Sequence, residues 1–152
     1  MTHLHTRQAV EEYLRVRADL FEAMRTDRSN GVAAQEIARI AAGTYSPPVI
    51  MEYLSCTELR DHARAALRRA GLNRWLGVRS TGAGRGPRTV LLALTLDPAE
   101  LTLVQRRTLP QRLTAALADT GIQLQLTGGA SLAATLYRGD EVHLRRARDR
   151  RS

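Results

Sequence analysis

Residues 36–54 read EIARIAAGTYSPPVIMEYL, and their spacing decides how the first half of the chain folds. Ile37, Ala38 and Ala41 recur at helical intervals within Ala33 to Ala42, and Gly43 stops that short helix. Ser46 is a good N-cap, and Pro47 takes the first helical position, where a missing N–H costs nothing. From Pro47 the pattern runs through Ile50, Tyr53 and Leu54, then Leu59, Ala63, Ala66, Leu67 and Ala70, and closes at Gly71. Cap-like Ser55 and Thr57 offer a point of division. Upstream, Val10, Tyr13, Leu14, Arg17, Phe21 and Met24 fall three and four apart over residues 6–26, which predicts an amphipathic helix with Glu11, Glu12, Arg15 and Glu22 on its other face. Arg17 lies in the apolar stripe with its stem along it. Asp27 to Gly31 breaks this first helix.

Downstream of Leu76 the hydrophobic period shortens from 3.6 towards 2. Leu76 to Arg79 and Thr89 to Leu96 read as strands joined by a Gly-rich tip. Asp97 and Pro98 open a helix that Pro110 divides into Pro98 to Arg107 and Leu109 to Ala118. Gly121 ends it. Ile122, Leu124 and Leu126 alternate as a strand, and Ala134 to Arg138 with Glu141 to Arg145 reads as a hairpin turning at Gly139 and Asp140. The expected fold class is α+β: a helical portion over residues 1–73, a small α/β portion with a mostly antiparallel sheet over 74–146, and a basic tail over 147–152.

Composition sets the bounds. A chain of 152 residues with 43% hydrophobic residues fills a core, and 4% aromatics means that core is built from Leu, Ala, Val and Ile. The longest apolar run, Val90 to Leu94, is too short to span a membrane, and nothing at Met1 to Val10 resembles a signal peptide, so a cytoplasmic location is expected. A single cysteine, Cys56, excludes an internal disulfide framework. All 23 basic residues are arginine, and against 15 carboxylates they give a formal charge of +8. That surplus attracts polyanions. It concentrates between Asp61 and Asp97, where Arg64, Arg68, Arg69, Arg74, Arg79, Arg85 and Arg88 occur with no intervening acid.

The run Glu36, Ile37, Ala38, Arg39, followed by Ser46, Pro47, Pro48, Ile50, Tyr53 and Leu54, resembles the helix-turn-helix families of bacterial DNA-binding proteins. The resemblance covers about residues 6–54. It implies a tripod in which small Ala38 lets the second helix approach the third, Gly43 permits the turn, and Ile50 and Leu54 lock the third helix onto the first two. It further implies that Tyr45, Ser46, Val49, Met51 and Glu52 point outward toward a major groove, where Glu52 can accept from a cytosine amino group and Val49 or Met51 can touch a thymine methyl. Arg39 joins the expected phosphate contacts. Arg60, Arg64 and Arg68, four apart on one helix side, suit a row of phosphates. The tip from Ser80 to Arg88 reads as a wing that places Arg85 or Arg88 on the backbone or in a minor groove. It is not a nucleotide-binding loop, since a strand follows it and the chain has no lysine.

Little supports catalysis, and the expectation is a non-enzyme without metal or cofactor. His3, His5, His62 and His143 are scattered, Cys56 suits a small buried position, and Asp97 and Asp119 sit where helix ends place acids. The strands Val90 to Leu96 and Ile122 to Leu126 look too apolar to be covered by two short helices, which suggests a homodimer through this half, the alternative being that it binds a small effector or a protein partner. The expected function is therefore transcriptional regulation by a dimeric protein on double-stranded DNA. Its rival is a protein-interaction adaptor that uses the Val49 and Met51 surface and the C-terminal half. An RNA module built on the C-terminal sheet would lack aromatics for base stacking, since only Tyr137 follows Trp75.

Overall fold

A computed structural model describes residues 4–81, 88–126 and 128–147. The chain forms two compact units, Met1–Leu54 and Ser55–Ser152. In the first, helix α1 (Leu4–Ser29) is followed by α2 (Ala34–Ile40) and by the opening of α3 (Pro47–Arg69). Met24, Ile37, Ala38, Ala41, Ile50 and Leu54 are buried together, with Leu20, Phe21, Tyr45 and Tyr53 packed around them. These side chains bring the three helical segments of the first unit together. The N–H groups of Gly31 and Val32 close α1 on the carbonyls of Arg28 and Asp27, with Gly31 at φ +94°. The helix therefore runs on to Ser29, past its expected end at Thr26, before it breaks.

The second unit holds the remainder of α3, strands β1 (Leu76–Ser80) and β2 (Val90–Leu94), a single 3-10 turn (Pro98–Glu100), α4 (Leu103–Ala118), β3 (Ile122–Gln125), α5 (Leu132–Tyr137) and β4 (Val142–Arg146). The four strands form one antiparallel sheet in the order β1-β2-β4-β3, with Val78 opposite Leu92, Leu92 opposite Val142, and Leu144 opposite Leu124. Leu76, Val78, Val90, Leu92, Ile122, Val142 and Leu144 share a core with Leu59, Ala63, Ala66 and Leu67 of α3, Leu109, Leu113 and Leu117 of α4, and Leu136 of α5. The mixed helix-and-sheet class is as expected.

Several boundaries differ from the expected ones. The units divide at Leu54, inside α3, rather than at residue 73, because Leu59 to Leu67 join the core of the sheet. Neither Ser55 nor Thr57 interrupts α3. Its end is as predicted: Gly71, at φ +72°, and Leu72 donate to the carbonyls of Arg68 and Leu67, and Leu72 is wholly buried beside Leu67. Residues 132–137 are helical rather than a hairpin strand. The Ser131 hydroxyl accepts from Ala134 N at 3.1 Å, and Gly139 closes α5 instead of turning a hairpin. The segment after Asp97 makes only the 3-10 turn, and α4 starts later at a capping box between Thr102 and Gln105.

Pro110 does not divide α4. Proline removes one backbone donor and so leaves the carbonyl four residues earlier, on Arg106, without its helical partner. The Tyr137 hydroxyl donates to that carbonyl instead. Of the two apolar strand segments, Val90, Leu91, Leu92 and Ile122 are buried and Leu94, Leu96, Leu124 and Leu126 are half-buried. Of the expected basic tail, residues 148–152 lie outside the described residues.

Candidate nucleic-acid interface

The opening of α3 presents part of the expected surface. Ser46, Val49, Met51 and Glu52 are exposed, while Ile50 and Leu54 on the opposite side are sealed in the core. The Ser46 carbonyl accepts from the N–H groups of Val49 and Ile50, which starts the helix at Pro47 as predicted. Gly43 keeps a negative φ with open space around it, so the turn does not depend on glycine's conformational freedom. Tyr45 does not point outward. Its ring lies 5.2 Å from that of Phe21, and the Arg17 guanidinium sits 5.9 Å from its centroid, so the residue closes the core instead of reading bases.

Arg39 is exposed but engaged. Its Nε donates to Glu36 Oε2 at 3.0 Å, and a second bond joins Nη2 to Oε1. This fork holds the Glu36 carboxyl below its usual range and raises the Arg39 guanidinium above its own, each through the other's hydrogen bond. The pair presents no net charge to a phosphate.

The arginine row on α3 splits by function. Arg60 is mostly covered, with 17% of its side chain exposed; it donates to the Ser80 hydroxyl at 3.3 Å and lies 3.3 Å from Asp61. Arg64 Nε donates to the Val78 carbonyl at 2.9 Å. β1 is an edge strand of the sheet, and its Val78 carbonyl points away from β2, so Arg64 caps an open backbone acceptor. These two residues fasten α3 to the sheet. Arg68 is exposed and makes no hydrogen bond or ion pair with a described residue, so it alone of the three is disposed as the row predicts. The Arg88 carbonyl accepts from Cys56 Sγ at 3.6 Å, which ties the start of β2 to α3, and Arg85 lies outside the described residues.

Charge is divided unevenly between the units. Residues 1–54 carry six arginines against seven carboxylates, a deficit of one, and residues 55–152 carry 17 against eight, a surplus of nine. The positive charge thus belongs to the second unit and not to the stretch that resembles helix-turn-helix proteins. Its exposed centre is the end of α3. Arg68 and Arg69 occupy the last turn, and Arg74 follows Gly71. Arg112 reaches back from α4 to donate to the Ala70 carbonyl at 3.2 Å. Both Arg74 and Arg112 lie near the Trp75 ring, at 5.6 and 5.5 Å from its centroid. Beside them, Arg64, Leu67, Arg68, Asn73, Leu76 and Val78 line an open groove of about 260 Å³. Arg69, Arg74 and Arg112 are not among the expected contacts. The signal that finds the first two is the acid-free interval from Asp61 to Asp97.

Among the described residues no group of three His, Cys, Asp or Glu side chains is placed to hold a metal, and no helix is long and apolar enough to cross a membrane. No family model, curated protein or solved structure matches this chain.

Proposed function

We propose that the protein binds double-stranded DNA as a regulatory, non-enzymatic, cytoplasmic protein, and that its phosphate grip lies in residues 55–152. The observation that carries this reading is the surplus of nine positive charges in that unit, with Arg68, Arg69 and Arg74 exposed at its acid-free centre. Arginine side chains give backbone affinity without sequence information, and the exposed Ser46, Val49, Met51 and Glu52 are the surface available for groove contacts. With no exposed Arg, Asn or Gln among these four, discrimination between bases is weak and binding is dominated by phosphates.

A second reading has its own support. Ile40, Val49 and Met51 are exposed apolar residues on a unit with almost no net charge, which suits an adaptor that contacts another protein. A mobility-shift titration with random duplex DNA at two salt concentrations separates the two. Salt-dependent retention supports DNA binding, and no retention at low salt supports the adaptor.

A further inference from the structure

Trp75 is the chain's one tryptophan, and it sits where the second unit keeps its exposed arginines. The ring is half-buried, packed on one side against the core that α3, α4 and the sheet share. Its indole N–H makes no hydrogen bond to a described residue, and among those residues no buried side-chain nitrogen or oxygen lacks a partner, so the N–H faces solvent. A tryptophan that only fills a core usually finds a partner for that group. The other aromatic side chain of residues 55–152 is spent on structure. The Tyr137 hydroxyl is taken by the Arg106 carbonyl, and the Arg106 guanidinium lies 5.8 Å from the tyrosine ring centroid.

The backbone beneath Trp75 is fixed by three hydrogen bonds. Its N–H donates to the Leu72 carbonyl at 3.1 Å, its carbonyl accepts from Thr95 N at 2.9 Å, and the Arg74 carbonyl accepts from the Thr95 hydroxyl at 3.3 Å. Arg112 is anchored too, because the bond from its Nη2 to the Ala70 carbonyl ties it to the end of α3 while its guanidinium stays 5.5 Å from the indole centroid. With Arg74 at 5.6 Å, an indole on rigid backbone stands beside two guanidinium groups, and Arg68 and Arg69 occupy the last turn of the helix just before it.

A phosphate needs only the arginines. The indole adds a flat π-surface and one open donor, which are the groups that engage a nucleobase, and a planar guanidinium stacks on bases as well. In a paired duplex the base faces lie against one another inside the helix, whereas an unpaired base is free to meet a ring on a protein surface. We infer that an unpaired base of the bound DNA stacks at Trp75 while Arg68, Arg69 and Arg74 hold phosphates of the same strand. DNA with a single-stranded stretch is therefore bound in preference to a fully paired duplex. The inference rests on the DNA-binding reading and names the form of DNA that this site takes. One base stacked on an aromatic side chain is worth roughly 5- to 150-fold in affinity.

The test titrates the full chain with three probes: a plain duplex, the same duplex with an overhang of about ten thymidines, and one whose overhang carries abasic sites in their place. The thymidine and abasic probes have equal numbers of phosphates, so any difference between them reports bases alone. The thymidine probe should bind at least about fivefold more tightly than the abasic one, and it alone should quench the emission of the single tryptophan. Trp75→Leu, checked for folding by circular dichroism, should bring the thymidine probe down to the affinity of the abasic one. The wild-type comparison decides the matter even if that variant does not fold. Equal wild-type affinity for the thymidine and abasic probes overturns the inference and leaves the duplex reading standing, as does unchanged emission at saturation or a folded Trp75→Leu that keeps the preference. Failure to retain any of the three probes at low salt overturns both.

Discussion

Replacing Arg68, Arg69 and Arg74 together with alanine tests whether the acid-free end of α3 grips phosphates. Each phosphate neutralised on a duplex contributes about 0.9 to the slope of log affinity against log salt, so losing three contacts should flatten the slope by about 2.7. Between 50 and 200 mM salt each contact is worth about 3.5-fold in affinity, so over that interval the wild type should lose roughly 40-fold more affinity than the variant. Fluorescence anisotropy with a labelled random duplex at several salt concentrations measures both slopes. The side chains are exposed and alanine is a good helix former; what is lost is the favourable placement of cations at a helix C-terminus, at about 0.3 to 1 kcal/mol for each arginine in the last turn, and the contact of Arg74 with the Trp75 ring, at about 0.5 to 1 kcal/mol. The variant therefore folds. A matched variant, Arg7→Ala/Arg15→Ala/Arg25→Ala, removes the same charge from the near-neutral unit and should leave the slope within about 0.5 of wild type. Equal flattening by the two variants would show that net charge alone sets the affinity, and an unchanged slope in the first would refute the placement of the grip.

Three further outcomes follow from the folded contacts. Tyr137→Phe should cost about 1 kcal/mol in urea unfolding, because it strips the substitute donor from the Arg106 carbonyl, and the cost should shrink in a Pro110→Ala background, where a helical N–H is restored; an additive cycle would refute the substitution of one donor for the other. Arg64→Ala uncaps the Val78 carbonyl at the β1 edge and should lower stability by about 1 to 2 kcal/mol with more aggregation on heating. Unaltered stability and solubility would mean that the edge needs no cap. At Gly77 an added Cβ would meet Thr95 Cγ2 at 2.8 Å, so Gly77→Ala should destabilise by about 1 kcal/mol, and Thr95→Ala in the same chain should relieve it, as read by thermal melts.

What could be read from the sequence was local, and what was missed depended on contacts between distant residues. Pro47 and Gly71 bracket α3 because a proline at a first turn and a glycine in the left-handed region act on their immediate neighbours. Gly139 and Asp140 are equally local but carry two meanings: the same pair that turns a hairpin also ends a helix, and the Ser131 cap decides for the helix. Pro110 breaks α4 by every local rule, and only a hydroxyl brought in from the end of α5 removes the cost. The arginine row has the same character. A helical wheel places Arg60, Arg64 and Arg68 on one side, but which of them meets an edge strand is settled by how the sheet packs against α3. The charge division is the sharpest case. The boundary at Leu54 falls inside an unbroken helix, so the arginine-rich interval from Asp61 to Asp97 shows where positive charge concentrates but not that a near-neutral unit ends at Leu54. Because the helix-turn-helix resemblance covers the near-neutral part, the residues that most resemble a DNA reader are the ones least equipped to hold a phosphate. A phosphate-binding role must rest on the other unit.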